Sequence, residues 1–269
     1  MNYTLDDLLQ LMRRLRDPEH GCPWDIAQTM HSILPSTIEE VYELVDAIEQ
    51  DDVRQIREEL GDVLFQVVFY AQLAAEQGWF DFAGLVDGLT AKLLRRHPHV
   101  FADGNLSAAA GVPVNVDEVK RQWEAIKAEE RRHKQQHGLL ADIPLALPAL
   151  KRAQKLQKRA AGVGFDWPDA RSALQKIREE LDELEQALAG TDKAAMQDEL
   201  GDLLFSCVNV ARHLGVDAEL ALAQGNKKFA RRFRYVEQQV EARGHSLQQA
   251  SLMEMDSLWQ QAKQLPPDY

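Results

Sequence analysis

An internal repeat is the feature that most constrains how this chain of 269 residues can fold. Residues 36–75 align with residues 176–215 at an offset of 140 without a gap, and 14 of the 40 pairs are identical. Two motifs share this register: TIEEVYEL matches REELDEL, and EELGDVLF matches DELGDLLF. A second offset, of 136, aligns three basic residues of each half: Lys92, Arg95 and Arg96 with Lys228, Arg231 and Arg232. The sequence therefore predicts two copies of one structural unit.

The pattern of both copies is typical of an all-α protein. Apolar residues recur three and four positions apart, and the chain has only 15 glycines and 10 prolines. The expected helices cover residues 36–50, 52–77, 81–96 and 116–136, and then 168–189, 192–214 and 218–243. Ser36, with Glu39 three residues later, is predicted to cap the first of these helices through a capping box. Gly78 and Gly215 are predicted to stop the second helix of each copy.

The domain organisation follows from the repeat. The boundary is expected near residue 137, which gives an N-terminal helical domain over 1–137 and a C-terminal one over 138–269. Loops are expected over 103–113 and 138–148. In the helix over 52–77, one apolar stripe is predicted to face the core: Ile56, Leu60, Val63, Leu64, Val67, Val68 and Ala71.

Charge and cysteine content exclude several classes of protein. The formal net charge of -12 repels nucleic acid and anionic membranes, so neither is an expected partner. Cys22 and Cys207 have no neighbouring cysteine or histidine at ligand spacing, which argues against a disulfide framework or a structural zinc site. The first residues are acidic and helical in pattern, unlike a signal peptide, and we expect a cytoplasmic protein.

The acidic motifs predict a metal site in each half. Residues three positions apart share a helix face, so two packed helices would bring four carboxylates together. In the first half these are Glu40, Glu43, Glu59 and Asp62, and in the second they are Glu180, Glu183, Glu199 and Asp202. An isolated motif of this kind is usually a solvated helix face, but the repetition favours a site. Oxygen ligands without histidine favour Mg²⁺, with Mn²⁺ as a substitute, over a di-iron centre.

Two further features bear on this site. Gly61 and Gly201 lie within the second acidic motif, between its glutamate and its aspartate. Glycine is costly in the middle of a helix, so its presence there indicates close approach of a ligand or tight helix packing. Lys228 and Arg232 lie one helical turn apart and could bind the phosphate oxygens that a metal ion does not reach. There is no P-loop or dinucleotide-binding motif. The pattern indicates phosphate-ester chemistry.

These motifs resemble a known family. The spacing of E-E-x-x-E and E-x-x-D is similar to that of the all-α nucleoside triphosphate pyrophosphohydrolases, and the tandem copy resembles the MazG family. GCPWD, RRHPHVF and GFDW support the resemblance, which covers nearly the whole chain. It implies two tandem MazG-like helical bundles, a homodimer, and Mg²⁺-dependent hydrolysis of NTPs or dNTPs to the monophosphate and pyrophosphate with broad base specificity. A regulatory protein partner is a further expectation.

The resemblance also implies roles for individual residues. The C-terminal copy is the expected active site, with metal ligands Glu180, Glu183, Glu199 and Asp202. Residues expected around the nucleotide are Lys176, Glu179, Lys228, Arg232, Trp259, Lys263 and Lys127. Glu179 or a metal-bound neighbour such as Glu180 could take the proton from the attacking water. Trp259 could stack on the base or pack between helices.

Three readings of the function stay open on the sequence. The first is a broad nucleoside triphosphate pyrophosphohydrolase. The second is an all-α pyrophosphatase of narrow specificity, of the dUTP or phosphoribosyl-ATP type. The third is a nucleotide-sensing or partner-binding protein without catalysis. Within the first reading, two differences favour the C-terminal copy. Lys176 lies one turn before Glu180, whereas Ser36 occupies the equivalent position in the N-terminal copy. The N-terminal copy also reaches Pro98 soon after Lys92 and Arg96, which ends that helix. The C-terminal copy is therefore expected to do most of the hydrolysis.

Overall fold

The computed structural model describes residues 2–107, 115–133 and 138–266, and every regular element in these ranges is a helix. The chain divides into a first unit, residues 1–129, and a second unit, residues 130–269. The boundary expected near residue 137 lies outside the described residues, as do 108–113 of the loop expected over 103–113. Among the described residues, no helix combines the length and hydrophobicity needed to cross a membrane.

The helices of both units appear in the same order. The first unit contains α1 (Leu5–Leu15), α2 (Pro23–Ala27), α3 (Leu34–Glu49), α4 (Val53–Glu76), α5 (Phe82–Arg96) and most of α6 (Val116–His133). The second contains α7 (Ala149–Ala161), α8 (Ala170–Leu188), α9 (Lys193–His213), α10 (Ala218–Ala242) and α11 (Leu252–Ala262). Helix α3 packs on α4 as α8 packs on α9, and α1 packs on α4 as α7 packs on α9. The all-α repeat is confirmed, while α2 and α7 were not anticipated from the sequence.

Local sequence explains where the two central helices begin and end. The side chain of Asp52 accepts from the backbone N–H groups of Arg54 and Gln55 at the start of α4, and Asp192 caps α9 in the same way. Both helices end shortly before a glycine in the left-handed conformation, Gly78 and Gly215, each with φ of 69°. The predicted stops at Gly78 and Gly215 are confirmed.

The predicted capping box at Ser36 is wrong. Helix α3 begins at Leu34, and Ile33 occupies the capping position without a side-chain hydrogen bond. Pro35 explains the difference, because its fixed φ suits the first turn of a helix and starts α3 before Ser36. Ser36 lies inside the helix.

The apolar stripe of α4 is only partly buried within the chain. Val68 and Ala71 are buried as predicted, and Val68 joins Met12, Ile33, Phe69 and Leu73 in the core of the first unit. Leu60, Leu64 and Val67 are exposed, which contradicts their predicted inward orientation. The reason is that α4 is apolar on more than one side, and α1, α3 and α5 cover only part of its surface.

Candidate metal and nucleotide site

The second unit brings three predicted carboxylates together. Glu180 on α8 and Glu199 and Asp202 on α9 each place an oxygen so that all three lie within 4.8 Å of one another. Glu180 is buried, at 4% exposure, whereas Asp202 is open to solvent. Glu183 lies one turn after Glu180 on the same helix. The pKa of the Glu183 carboxyl is raised, mainly by burial. The charge of Lys176 lowers this pKa in part, and the charge of Glu180 raises it. The cluster combines buried and solvent-facing oxygens.

Lys176 balances part of this negative charge. Its ammonium lies 2.7 Å from Oε1 of Glu179 and 2.7 Å from Oε1 of Glu180. The hydrogen bonds to Glu179 and Glu180 raise the pKa of the Lys176 ammonium well above its ordinary value. The predicted neighbours Lys176, Glu179 and Glu180 are therefore in direct contact along one face of α8.

The first unit contains a similar cluster without a lysine. Oxygens of Glu40, Glu43 and Glu59 lie within 4.8 Å of one another. Burial raises the pKa of Glu40, and the charges of Asp62 and Glu43 raise it further. Burial also raises the pKa of Glu59, and the charge of Glu43 raises it further. Ser36 stands where the second unit has Lys176, so the lysine–glutamate bridge of α8 has no equivalent on α3.

A different helix pair carries four of the residues expected around the nucleotide: Lys228, Arg232, Trp259 and Lys263. Helix α10 packs mainly on α11, whereas the carboxylates lie on α8 and α9. The guanidinium of Arg232 lies 6.0 Å from the centre of the Trp259 ring, and that ring lies 5.1 Å from the ring of Phe229. Lys263 donates to Gln260, and Lys228 is exposed on α10. The contacts of Trp259 join α11 to α10.

The first unit repeats this arrangement, which the sequence reasoning missed. The guanidinium of Arg96 lies 5.8 Å from the Trp123 ring, and the ammonium of Lys127 lies 5.5 Å from the same ring. The offset of 136 that pairs Lys92 with Lys228 also pairs Trp123 with Trp259 and Lys127 with Lys263. Extending that offset along the chain would have revealed the match. Lys127 thus belongs to the first unit, as the counterpart of Lys263.

The two mid-helix glycines are not explained by packing within the described chain. A Cβ atom built on Gly61 or Gly201 would meet nothing within 4 Å. Among the described residues, tight helix packing is therefore not the reason for either glycine. Both positions leave space for a ligand or another chain to approach the α4 and α9 backbones.

Comparisons with known proteins agree with the repeat. The model of the MazG nucleotide pyrophosphohydrolase domain matches twice, at residues 28–101 and 169–236. The nucleoside triphosphate pyrophosphohydrolase of Escherichia coli strain K12 is 53% identical over 261 residues, which cover 96% of this chain and 97% of that protein. The nucleoside triphosphate pyrophosphohydrolase/pyrophosphatase MazG of Thermotoga maritima is 42% identical over 258 residues, 96% of this chain and 95% of that protein. The two carboxylate clusters fall within the two matched segments, and the chain belongs to the MazG family.

Proposed function

We propose that this protein hydrolyses nucleoside triphosphates to nucleoside monophosphates and pyrophosphate in its second unit, with Mg²⁺ as the cofactor. The observation that carries the proposal is the cluster of Glu180, Glu199 and Asp202 beside the ammonium of Lys176. Family membership and full-length relatives named for this activity support it. We extend the proposal to the cytoplasm, where the free thiols of Cys22 and Cys207 would stay reduced.

The residues of the second unit fit a hard divalent cation. All donors in the cluster are carboxylate oxygens, the ligand type that Mg²⁺ and Mn²⁺ prefer. Glu180, Glu183, Glu199 and Asp202 would hold the metal. Crowded carboxylates repel one another, and a bound cation relieves that repulsion. When bound, Mg²⁺ would neutralise phosphate charge and lower the pKa of a coordinated water.

Two residues of α8 would bind the phosphate and accept the proton. Lys176 can exchange its bonds to Glu179 and Glu180 for bonds to a phosphate oxygen. Glu179 then becomes free to accept a proton from the water that attacks the α-phosphorus. The bond between the α-phosphorus and the bridging oxygen breaks, and pyrophosphate leaves with the bonding electrons. Lys228, Arg232, Trp259 and Lys263 are proposed nucleotide contacts of the second unit because of the family resemblance, and Lys127 is the counterpart of Lys263 in the first unit.

The proposal includes a homodimer. In α3, α4, α8 and α9 large apolar side chains are exposed, among them Ile38, Leu64, Leu181 and Leu204. Exposed apolar surface of this extent is typical of a protein interface. Gly61 and Gly201 leave room for close approach on the same helices. A second copy would complete the four-helix bundle that a pair of long helices cannot close alone.

Product analysis tests this function. The protein is incubated with each of several NTPs and dNTPs in Mg²⁺, and nucleotides and pyrophosphate are quantified by chromatography. Monophosphate and pyrophosphate from several bases are the expected products, and EDTA should abolish them until Mg²⁺ or Mn²⁺ is restored. Turnover of one substrate alone would instead support a narrow pyrophosphatase. Binding without turnover would support a sensing protein, and full activity in EDTA would contradict the metal role.

The first unit is proposed as a weaker second site or a dimerisation and regulatory unit. Its cluster of Glu40, Glu43 and Glu59 provides metal ligands, and Asp62 contributes to their repulsion. It lacks the cation that Lys176 supplies, because Ser36 takes that position. Its Arg96, Trp123 and Lys127 match the aromatic and basic group of the second unit. The missing lysine is therefore the clearest difference between the two copies.

A further inference from the structure

An arginine joins the two ends of the helix pair that carries the carboxylates of the second unit. The guanidinium of Arg212, near the end of α9, is paired with the carboxylate of Asp166, just ahead of α8. Nε2 of His213 lies 3.2 Å from the same oxygen, and Nη2 of Arg212 also donates to Oδ1 of Asn209 at 2.8 Å. Water reaches little of this contact, since the side chains of Arg212 and Asp166 are 16% and 24% exposed. The Asp166–Arg212 clamp therefore fixes the chain ahead of α8 to the end of α9.

The link between the clamp and α8 is short and restrained. Asp169 caps α8, because its side chain accepts from the backbone N–H of Ser172 at 2.7 Å. Only Trp167 and Pro168 lie between Asp166 and this cap, and the ring of Pro168 fixes its φ. A shift of Asp166 would therefore pass directly into the first turn of α8.

The clamp is in register with the carboxylate cluster. Helices α8 and α9 are joined by residues 189–192 and pack on each other, so they run antiparallel. Asp166 lies 14 residues before Glu180, and Arg212 lies 13 residues after Glu199. In an antiparallel pair these nearly equal separations mean that both contacts specify the same alignment of the two helices.

The first unit joins the same two places with a different arginine. Arg16, at the end of α1, donates to the carbonyl of Asp25 ahead of α3, and its Nε lies 2.7 Å from Oε1 of Glu76 at the end of α4. At the offset of 140 the counterpart of Arg212 is Gln72, so the two arginines do not occupy equivalent positions. Both units make the same connection from different residues, which indicates that the connection itself is required.

We infer that Asp166 and Arg212 are positioning residues for the metal cluster of the second unit. Their pairing sets the alignment of α8 on α9, and with it the spacing of the carboxylates that the two helices contribute: Glu180, Glu199 and Asp202. The inference rests on the proposed function for the identity of the cation. Mg²⁺ binds well only when its oxygen ligands lie at about 2.0–2.1 Å in a regular arrangement, so a small sliding of α8 along α9 should weaken binding.

Binding of Mg²⁺ to the full-length protein, followed by calorimetry, tests the inference. Every variant carries Glu40→Gln with Glu43→Gln, which removes carboxylates of the first unit from the measurement. The test variants are Asp166→Asn, Arg212→Met and the two combined, and Arg212→Lys is the conservative variant. Glu76→Gln, which replaces a carboxylate by its amide in the connection of the first unit, is the control. Circular dichroism verifies that each variant is folded, and the isosteric Asp166→Asn decides the question if Arg212→Met does not fold.

Hydrogen–deuterium exchange in EDTA gives a second readout, which needs neither metal nor turnover. In Arg212→Met the amides of residues 164–175 should exchange at least about threefold faster, because the clamp no longer holds the start of α8. The amides of α10 and α11 should exchange at the same rate as in the parent chain.

The expected affinities separate positioning from stability. Arg212→Met should weaken Mg²⁺ binding by about fivefold or more, and Asp166→Asn should weaken it in the same direction. The combined variant should lose no more affinity than Arg212→Met, because both changes break one contact. Arg212→Lys keeps a cation beside Asp166 and should stay within about twofold of the parent. Glu76→Gln should lower stability without changing the affinity for Mg²⁺.

Three results would overturn the inference. Unchanged Mg²⁺ affinity in Asp166→Asn and Arg212→Met would show that the clamp only stabilises the fold. An equal loss of affinity in Glu76→Gln would show a general effect of destabilisation, as would exchange that becomes faster evenly across the second unit. A parent chain that binds no Mg²⁺ would contradict the proposed function, and the inference with it.

Discussion

Replacing Lys176 with methionine should lower the free energy of unfolding of the metal-free protein and raise its affinity for Mg²⁺. The ammonium lies 2.7 Å from the carboxylate of Glu180, an attraction of about 6 kcal/mol at an effective dielectric constant of about 20. Desolvation of the pair offsets most of this attraction, so we expect a net loss of about 1–3 kcal/mol in the free energy of unfolding in EDTA. The loss arises because Glu180 is left buried near Glu199 and Asp202 without a counter-charge.

Bound Mg²⁺ should offset part of this loss of stability. Without the lysine the net charge of the site is one unit more negative, so Mg²⁺ should bind about tenfold more tightly, or about 1.4 kcal/mol. The catalytic efficiency should nevertheless fall, since Lys176 no longer reaches the phosphate. Stability is measured by denaturant titration in EDTA and in Mg²⁺. Calorimetry gives the affinity for Mg²⁺, and steady-state kinetics give the catalytic efficiency. Equal destabilisation in EDTA and Mg²⁺, or weaker Mg²⁺ binding, would refute the reasoning. Lys155→Met, an exposed lysine on α7, is the matched control and should change stability by less than about 0.5 kcal/mol.

Further predictions concern the first unit and the dimer. Glu76→Gln should cost about 2 kcal/mol at pH 7, because it removes the negative charge that pairs with the buried Arg16 guanidinium and leaves that group only its bonds to the carbonyls of Asp25 and Gln28. The exposed Glu58→Gln should cost almost nothing. The bond to Arg16 lowers the pKa of Glu76, so its contribution is present above the ordinary value of 4.5 and is lost as the pH falls through the lowered value. The free energies of unfolding of wild type and Glu76→Gln should therefore converge as the pH falls below the lowered pKa of Glu76, and a difference that persists in acid would contradict this origin. Sedimentation should show a dimer of about 61 kDa, twice the chain mass of 30.5 kDa, and Leu64→Asp should shift it toward monomer. A wild-type monomer at micromolar concentration would contradict the dimer.

The sequence predicts most of the helices and three of the four carboxylates in each cluster, because these features depend on local spacing. Glu180 lies four residues after Lys176, and this spacing alone places both side chains on one face of α8. Asp192 and Gly215 mark the ends of α9 through local hydrogen bonds and backbone conformation. Repetition distinguishes such motifs from ordinary solvated helix faces.

Features that depend on tertiary packing could not be predicted in this way. Periodicity shows that α4 is amphipathic, but it does not show which apolar residues neighbouring helices cover, so Leu64 was assigned wrongly to the interior. The start of α3 depends on Pro35 rather than on the capping preference of Ser36. A cavity of the second unit that Ser206 and Asn209 help to line depends on how α7 packs on α9, which only the folded chain reveals.

Paired substitutions in the two clusters test most directly whether the second unit performs the hydrolysis. Glu180→Gln with Glu183→Gln removes two proposed ligands from the second unit, and Glu40→Gln with Glu43→Gln is the matched change in the first. Circular dichroism and sedimentation first establish that both variants are folded and have the same assembly state.

The turnover number for NTP hydrolysis is then measured for both variants at saturating Mg²⁺. We predict a loss of about 100-fold or more for the second-unit pair, the scale of removing a transition-state charge stabiliser, and a much smaller loss for the first-unit pair. Equal losses would show that both sites work, and a greater loss in the first-unit pair would contradict the assignment of the active site.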